Sequence, residues 1–346
     1  MLDDTNVIKQ FDANDALGVA KMQVDQAKFA AEIVNPDHDN RDINSIVVAG
    51  MGGSALAALL VKTWLKADLN MPFEIVRTYD LPNYVGANTL VIASSYSGNT
   101  EETVSCLEQA VVKNAQIAVI ASGGKLAETA KQKQMSHVIL PSGIQPRMGV
   151  IYNLRALVAL LVNFGVVDKS KMSEIEAAHD TIQFECKKWD PSMPTVGNYA
   201  KQLAIFAMGK TAIFYGGTTT APIAYKWKIS WNENAKNVSF WNEIPEFNHN
   251  EFIGWTSHPI EKPFAVFDLM SKFEHPHIRK RFEVSDRLLS GMKPKAKVIE
   301  MVGDNVITEM LWGSILADYV SIYLAILNGI NPTPVALIEK LKKELA

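Results

Sequence analysis

Leu90-Val91-Ile92-Ala93-Ser94-Ser95-Tyr96-Ser97-Gly98-Asn99-Thr100-Glu101-Glu102 runs from an apolar stretch through small hydroxyl residues to an acidic helix start. Leu90–Ala93 has no polar alternation, which suits a strand covered on both faces. A helix is expected from about Thr100, with Glu101 and Glu102 complementing the positive end of its dipole. Strand, turn and helix start together form an anion cradle. Backbone N–H groups converge there, and Ser95, Ser97 and Thr100 add hydroxyl donors. Gly98 lets the backbone turn tightly or approach a ligand. The turn has no Walker-type lysine, so it suits a phosphomonoester better than a metal-bound triphosphate. The plain alternative is a Ser/Thr-capped helix, and the run of small polar residues argues against it.

The same alternation extends to either side. Ser45–Ala49, Phe73–Tyr79, Gln116–Ala121 and a short His137–Leu140 read as further strands, with helical stretches between most of them. Residues 1–40 read as a helical lead-in ending at Asn35-Pro36. This pattern predicts a doubly wound parallel sheet, with ligands beyond the carboxyl ends of its strands. Residues 149–210 are mostly helical in pattern, broken at Asp190-Pro191 and Met193-Pro194. Strands then resume at Ala212–Tyr215, Val238–Trp241, Phe264–Leu269 and Lys297–Met301. A long helix, Thr308–Leu327, and a terminal helix after Pro334 close the chain. A Gly-Gly-Thr-Thr-Thr turn at Gly216–Thr220 parallels the Gly-Gly-Ser of the first half. We therefore expect an α/β protein with two tandem copies of one unit, residues 1–165 and residues 166–346.

The chain has 346 residues, of which 48% are hydrophobic and 21% charged, as in a globular protein with a sizeable core. A net charge of −3 gives no electrostatic case for nucleic acid or an anionic membrane. Two cysteines, Cys106 and Cys186, suggest no disulfide framework, and a cytoplasmic, reducing compartment is expected. The opening MLDDTNVIKQFDAND has no apolar core, so no secretory leader is expected. Leu311–Ile330 is very apolar but carries Asp318, and reads as a buried helix rather than a membrane span.

Gly50-Met51-Gly52-Gly53-Ser54-Ala55 fits the loose dinucleotide pattern, yet no acidic residue ends the second strand, which reads Val76-Arg77-Thr78-Tyr79. The simpler account is that Gly52 and Gly53 let backbone approach a substrate while Ser54 helps to hold its phosphate. GMGGSA followed by SSYSGNTEE resembles the sugar isomerase (SIS) domain. From about residue 45 onward the chain resembles the bifunctional phosphoglucose/phosphomannose isomerase family, a two-domain branch of the phosphoglucose isomerase superfamily.

That resemblance implies roles for further residues. Gln145-Pro146-Arg147 matches the family's Pro-Arg segment, whose arginine lies over the reacting carbons and would stabilise an enediolate. Met148 departs from the alanine usual there. Asn232-Glu233-Asn234-Ala235-Lys236 matches the segment whose glutamate is the base, and nearby Trp227, Trp231 and Trp241 offer either an apolar setting or plain core. Phe247-Asn248-His249-Asn250-Glu251 matches the segment with the ring-opening histidine. Thr333 and Lys340 match a threonine and a lysine at the same spacing, the lysine joining in ring opening. If the terminal helix starts at Thr333, the two share one helix face. His275 and His277 lack an evident third ligand, so no metal is assigned.

The expected protein is thus two SIS-type doubly wound domains with helical flanks, binding a hexose 6-phosphate between them. Gly53, Ser54, Ser95, Ser97 and Thr100 would hold the phosphate. Glu233, His249, Lys340, Arg147 and Thr333 would act on the sugar, with no cofactor. The superfamily further implies a homodimer with His249 supplied in trans. Two rivals stay open: another SIS enzyme acting on an amino or short sugar phosphate, and a non-catalytic sugar-phosphate sensor.

Overall fold

The structure is a computed structural model that describes residues 1–257 and 262–345. By packing, the chain falls into two units. One is Gln23–Asp180; the other joins Met1–Met22 to Thr181–Ala346. The chain passes between them within α2 (Ala16–Gln26), which follows α1 (Thr5–Phe11), and again within α7 (Ser170–Trp189).

The Gln23–Asp180 unit is built on β1 (Ile33–Val34), β2 (Ser45–Ala49), β3 (Phe73–Val76), β4 (Thr89–Ser95), β5 (Gln116–Ala121) and β6 (Ser136–Ile139). Its helices are α3 (Gly52–Trp64), α4 (Glu101–Val112), α5 (Gly124–Gln132) and α6 (Val150–Asn163). The strand order is β1-β6-β5-β4-β2-β3, parallel throughout except for the short edge strand β1. Every residue of β2 and β4 is buried, as strands covered by helices on both faces must be. After β2 the chain moves outward to β3, then returns to place β4 on the other side of β2. The direction of winding therefore reverses between β2 and β4. At such a reversal, loops leave neighbouring strands in opposite directions and open a crevice at their carboxyl ends. The loops at Gly50 and Ser95 flank that crevice.

The second unit adds α8 (Tyr199–Ala207), β7 (Thr211–Gly216), α9 (Ala221–Glu233), β8 (Ser239–Glu243), α10 (Glu251–Gly254) and β9 (Phe264–Met270). It continues with α11 (Pro276–Leu288), β10 (Lys297–Glu300), α12 (Val306–Leu327) and α13 (Ala336–Leu345). Its sheet, β10-β9-β7-β8, is parallel throughout and reverses between β7 and β9. The second copy is thus smaller than the first, with four strands against six. Phe214, Trp227, Trp231 and Phe267 pack ring against ring between this sheet and α9. Trp227 and Trp231 are therefore core, and Trp241 packs on Tyr225.

α12 is long and apolar enough to cross a membrane, yet 94% of its most apolar window is buried inside the protein. It packs on α8 and α9, and Asp318 at its middle is fully buried against Lys226 of α9. Lys226 Nζ donates to both Asp318 oxygens, at 2.8 and 2.9 Å, and Ser230 Oγ donates to Oδ1 at 2.7 Å. Asn234 Nδ2 lies 3.5 Å from Oδ1 and donates to Ser321 Oγ at 2.9 Å. One carboxylate thus engages three successive turns of α9 up to its end.

Candidate active site

The turn after β4 differs from a capped helix. Thr100 occupies the N-cap of α4, but its side chain makes no cap hydrogen bond. Its Oγ1 lies 2.7 Å from Ser95 Oγ, and Ser97 Oγ lies 3.5 Å from the same atom. Ser95 Oγ accepts the Gly98 N–H at 3.2 Å, and Ser97 Oγ accepts that of Asn99 at 3.3 Å. Three hydroxyls therefore gather at the start of α4, where the helix dipole and the first N–H groups favour an anion. Gly98, at φ +73°, closes the turn, and a Cβ there would lie 1.7 Å from the Gly123 carbonyl oxygen.

Across the crevice, Gly50 and Gly53 are required by close backbone approach. A Cβ on Gly50 would meet the Ser94 carbonyl oxygen at 2.7 Å, and one on Gly53 that of Pro146 at 2.8 Å. The second contact seats the turn Pro146–Met148 against the start of α3. Arg147 Nη1 donates to Gln145 Oε1 at 3.3 Å. Met148 is buried; its carbonyl accepts from Gln26 Nε2 at 2.8 Å, and its sulfur lies 3.4 Å from Gln23 Nε2. The buried, polarizable thioether thus helps to pack this turn against α2.

Asn153 escaped the sequence reading. Ser54 Oγ and Ser94 Oγ both donate to its Oδ1, at 3.3 and 3.1 Å, and its Nδ2 donates to the Gly149 carbonyl at 3.0 Å. It links the start of α3 and the end of β4 to Gly149, just after the Arg147 turn. Nothing local marks it, since it is one of a few polar residues scattered along the mostly apolar α6.

The parallel turn of the second unit is filled from within. Thr218 Oγ1 donates to Glu274 Oε1 at 2.6 Å, and the Thr219 N–H to Oε2 at 2.8 Å. A Cβ on Gly217 would lie 2.2 Å from Glu274 Oε2. A carboxylate of the chain itself sits where an anion would, so none can enter without displacing it. His275, next in sequence, caps α11 and accepts the His277 N–H at 3.1 Å.

In the second unit, Glu233 is the last residue of α9. Its carbonyl accepts from Lys236 Nζ, which also donates to the Pro332 carbonyl at 2.9 Å. His249 ends a short 3₁₀ turn, Glu246–His249, and is exposed. The segment is fastened on either side of it: Asn248 Nδ2 donates to Ser285 Oγ at 2.8 Å, while Glu251 accepts from Tyr215 Oη and from Asn242 Nδ2 at 2.7 Å.

The possibility that Thr333 and Lys340 share a helix face is corrected. α13 begins at Ala336, so Thr333 lies in the turn before it, and its N–H donates to Asn331 Oδ1 at 3.0 Å. Pro334 explains this, because a residue before proline avoids the α region. Lys340 is on α13 with its side chain 72% exposed, 3.6 Å from Glu344. Lys342 and Lys343 are exposed beside it. Both cysteines are free and buried, and burial pushes the Cys106 thiol up to about 11 and that of Cys186 to about 12. Neither is a ready nucleophile.

A switch-point crevice with clustered hydroxyls, followed by a second unit with its own parallel sheet, is the architecture of a tandem SIS-domain protein. Family profiles agree: a SIS domain matches residues 41–161, and the bacterial phospho-glucose isomerase C-terminal SIS domain matches 197–345. The bifunctional phosphoglucose/phosphomannose isomerase of Caldicellulosiruptor bescii is 35% identical, covering 94% of this chain and 96% of that protein. The D-glucosamine-6-phosphate 4-epimerase of Sulfolobus acidocaldarius is 33% identical over 62% of this chain and 67% of its own length. A glucose-6-phosphate isomerase-like protein from Thermus thermophilus superposes with a TM-score of 0.66 at 17% identity, covering 99% of this chain and 98% of that one. The chain belongs to the bifunctional phosphoglucose/phosphomannose isomerase family.

Proposed function

We propose that this protein interconverts glucose 6-phosphate and mannose 6-phosphate with fructose 6-phosphate in the cytoplasm, without a cofactor. The observation that carries the reading is the three-hydroxyl cradle at the β2/β4 reversal, with the Arg147 turn seated beside it on Gly53. Ser95, Ser97 and Thr100, with Gly53 and Ser54 opposite, hold the phosphate. His249 and Lys340 move the proton between ring oxygen and anomeric hydroxyl that opens the sugar. Glu233 takes a proton from C2 of the aldose and returns it to C1 of the ketose, and Arg147 stabilises the enediolate between the two steps. The net change is proton transfer, so no redox group is needed. The test is a coupled assay of purified protein on both hexose phosphates and on glucosamine 6-phosphate, the latter because of the epimerase relative. Turnover of both hexose phosphates is expected. Turnover of glucosamine 6-phosphate alone would replace this reading.

Thr333 serves as the gate for mannose 6-phosphate. The two aldoses differ only at C2, and one base yields both only if the enediol can turn about C2–C3 and offer either face. Threonine is shorter than the glutamine of single-function phosphoglucose isomerases and leaves room for that rotation. Thr333→Gln should therefore lower kcat/KM on mannose 6-phosphate far more than on glucose 6-phosphate. A constant ratio of the two would remove the gate.

Anchoring is tested separately. Ser97→Ala with Thr100→Val should raise KM for hexose 6-phosphates by about tenfold, as expected for lost charge-assisted hydrogen bonds. An unchanged KM in both directions would take the phosphate away from this turn.

The active form in this reading is a twofold homodimer with His249 acting in the partner's site. In support, α13 presents Leu337, Ile338 and Leu341 to solvent, an apolar stripe on an otherwise charged helix. Mixing inactive Glu233→Gln and His249→Ala chains should restore activity after subunit exchange. Heterodimers that stay inactive would return both residues to one chain.

A further inference from the structure

Lys236 lies just past the end of α9, and its side chain reaches back toward the proposed chemistry. Its backbone is left-handed, at φ +56°, a conformation rare for a lysine. From there its ammonium turns back to the Glu233 carbonyl and at the same time donates to the Pro332 carbonyl at 2.9 Å. Glu233 would be the base and Thr333, next after Pro332, the gate. These two elements are 96 residues apart along the chain between Lys236 and Pro332, and one side chain bridges them. An exposed lysine paired with a carboxylate contributes little. Here two of the acceptors are backbone carbonyls, one of them at a helix C-terminus where the dipole favours a cation, and these two charge-assisted hydrogen bonds fix backbone directly. The Thr333 side is held from the other direction as well: Asn331 Oδ1 accepts the Thr333 N–H, and Asn331 Nδ2 donates to Asn14 at 2.9 Å.

We propose that Lys236 is a positioning residue that sets the spacing between the base-bearing end of α9 and the Pro332–Thr333 turn, and thereby the partition between glucose and mannose 6-phosphates. This rests on the roles of Glu233 and Thr333 given above. Turning the enediol over is a matter of clearance beside C1 and C2, and a shift well below 1 Å between base and gate changes that clearance. In the reading above the phosphate rests on Ser95, Ser97 and Thr100, so substrate affinity is not the quantity Lys236 is proposed to control.

The experiment compares the parent with Lys236→Met, Lys236→Arg and Thr333→Gln. For each, kcat and KM are measured on both aldoses, with a thermal melt. Lys236→Met, which keeps length and loses the cation, is expected to shift the mannose-to-glucose ratio of kcat/KM by fivefold or more, with KM on each sugar within about threefold of the parent. Lys236→Arg, which keeps a cationic donor of similar reach, should bring the ratio back to within about twofold. A merely structural role would lower the melting temperature or both activities together and leave the ratio alone. A parent-like ratio in Lys236→Met therefore overturns the proposal, as does an equal shift in the Met and Arg variants. If Lys236→Met fails to fold, Lys236→Gln is held to the same criterion. Thr333→Gln separates the two readings: a parent-like ratio there overturns the gate. An altered ratio there beside a parent-like one in Lys236→Met overturns only the tie.

Discussion

Glu233→Gln is expected to lower turnover by roughly 10²–10⁴-fold in both directions, the range that a positioned general base supplies. The amide keeps the size of the carboxylate but cannot accept the C2 proton. The fold around it should survive, because the end of α9 is secured by groups other than the Glu233 carboxylate. Asn234 bonds Ser321, Ser230 bonds Asp318, and Lys236 bonds the Glu233 carbonyl. The hydroxyls proposed to hold the phosphate, on β4 and the turn before α4, are untouched, so fructose 6-phosphate should bind with nearly parental affinity. The decisive measurement is exchange of the C2 proton with solvent in bound substrate, followed by NMR. Exchange at close to the parent rate would show that another group is the base.

Asp318→Ala carries the second large effect, on stability. The carboxylate and Lys226 are both fully buried, so removing the acid leaves an ammonium in the core stripped of its counter-charge. Breaking such a pair from one side costs about 3–5 kcal/mol. For a unit of this size that corresponds to a fall of the order of 10 °C in Tm. Asp318→Leu combined with Lys226→Met should recover most of the loss, since two buried charges are then exchanged for apolar packing. Thermal and urea unfolding of the three proteins test this. A single variant within about 1 kcal/mol of the parent would mean the ion pair is far better solvated than its burial implies.

Much of the first unit was legible because its physics is local. Buried parallel strands read as unbroken apolar runs, and β2 and β5 fall on the expected residues, with β4 longer by one residue before and two after. The hydroxyl cluster at the start of α4 was legible for a similar reason: it is one continuous stretch in which strand end, glycine turn and helix start are neighbours in sequence. The edge strand β1 was not seen, since two residues pairing antiparallel with β6 carry no periodicity. The helices α10 and α11 were not expected either; α11 is a markedly polar helix on the surface, without an apolar run to announce it. The start of α13 had a local signal in Pro334 that outweighs the spacing of Thr333 and Lys340.

By itself, then, the sequence determined that this is a tandem α/β protein with a hydroxyl-rich turn after its third long strand. Propensity, strand period and helix-start chemistry act over a few residues, and those few are written consecutively. The tertiary structure decided that one of two similar glycine turns is filled by a carboxylate of the chain itself. Glu274 comes from the loop after β9, more than fifty residues from the turn it fills, and no local pattern reveals that a carboxylate will lie there. It decided in the same way that Asn153 joins the start of α3 to the end of β4, that Asp318 clamps α9, and that Lys236 reaches Pro332. Each is a single polar side chain whose hydrogen bonds run between distant elements, and such bonds exist only once the apolar strands and helices have packed and brought those elements within about 3 Å.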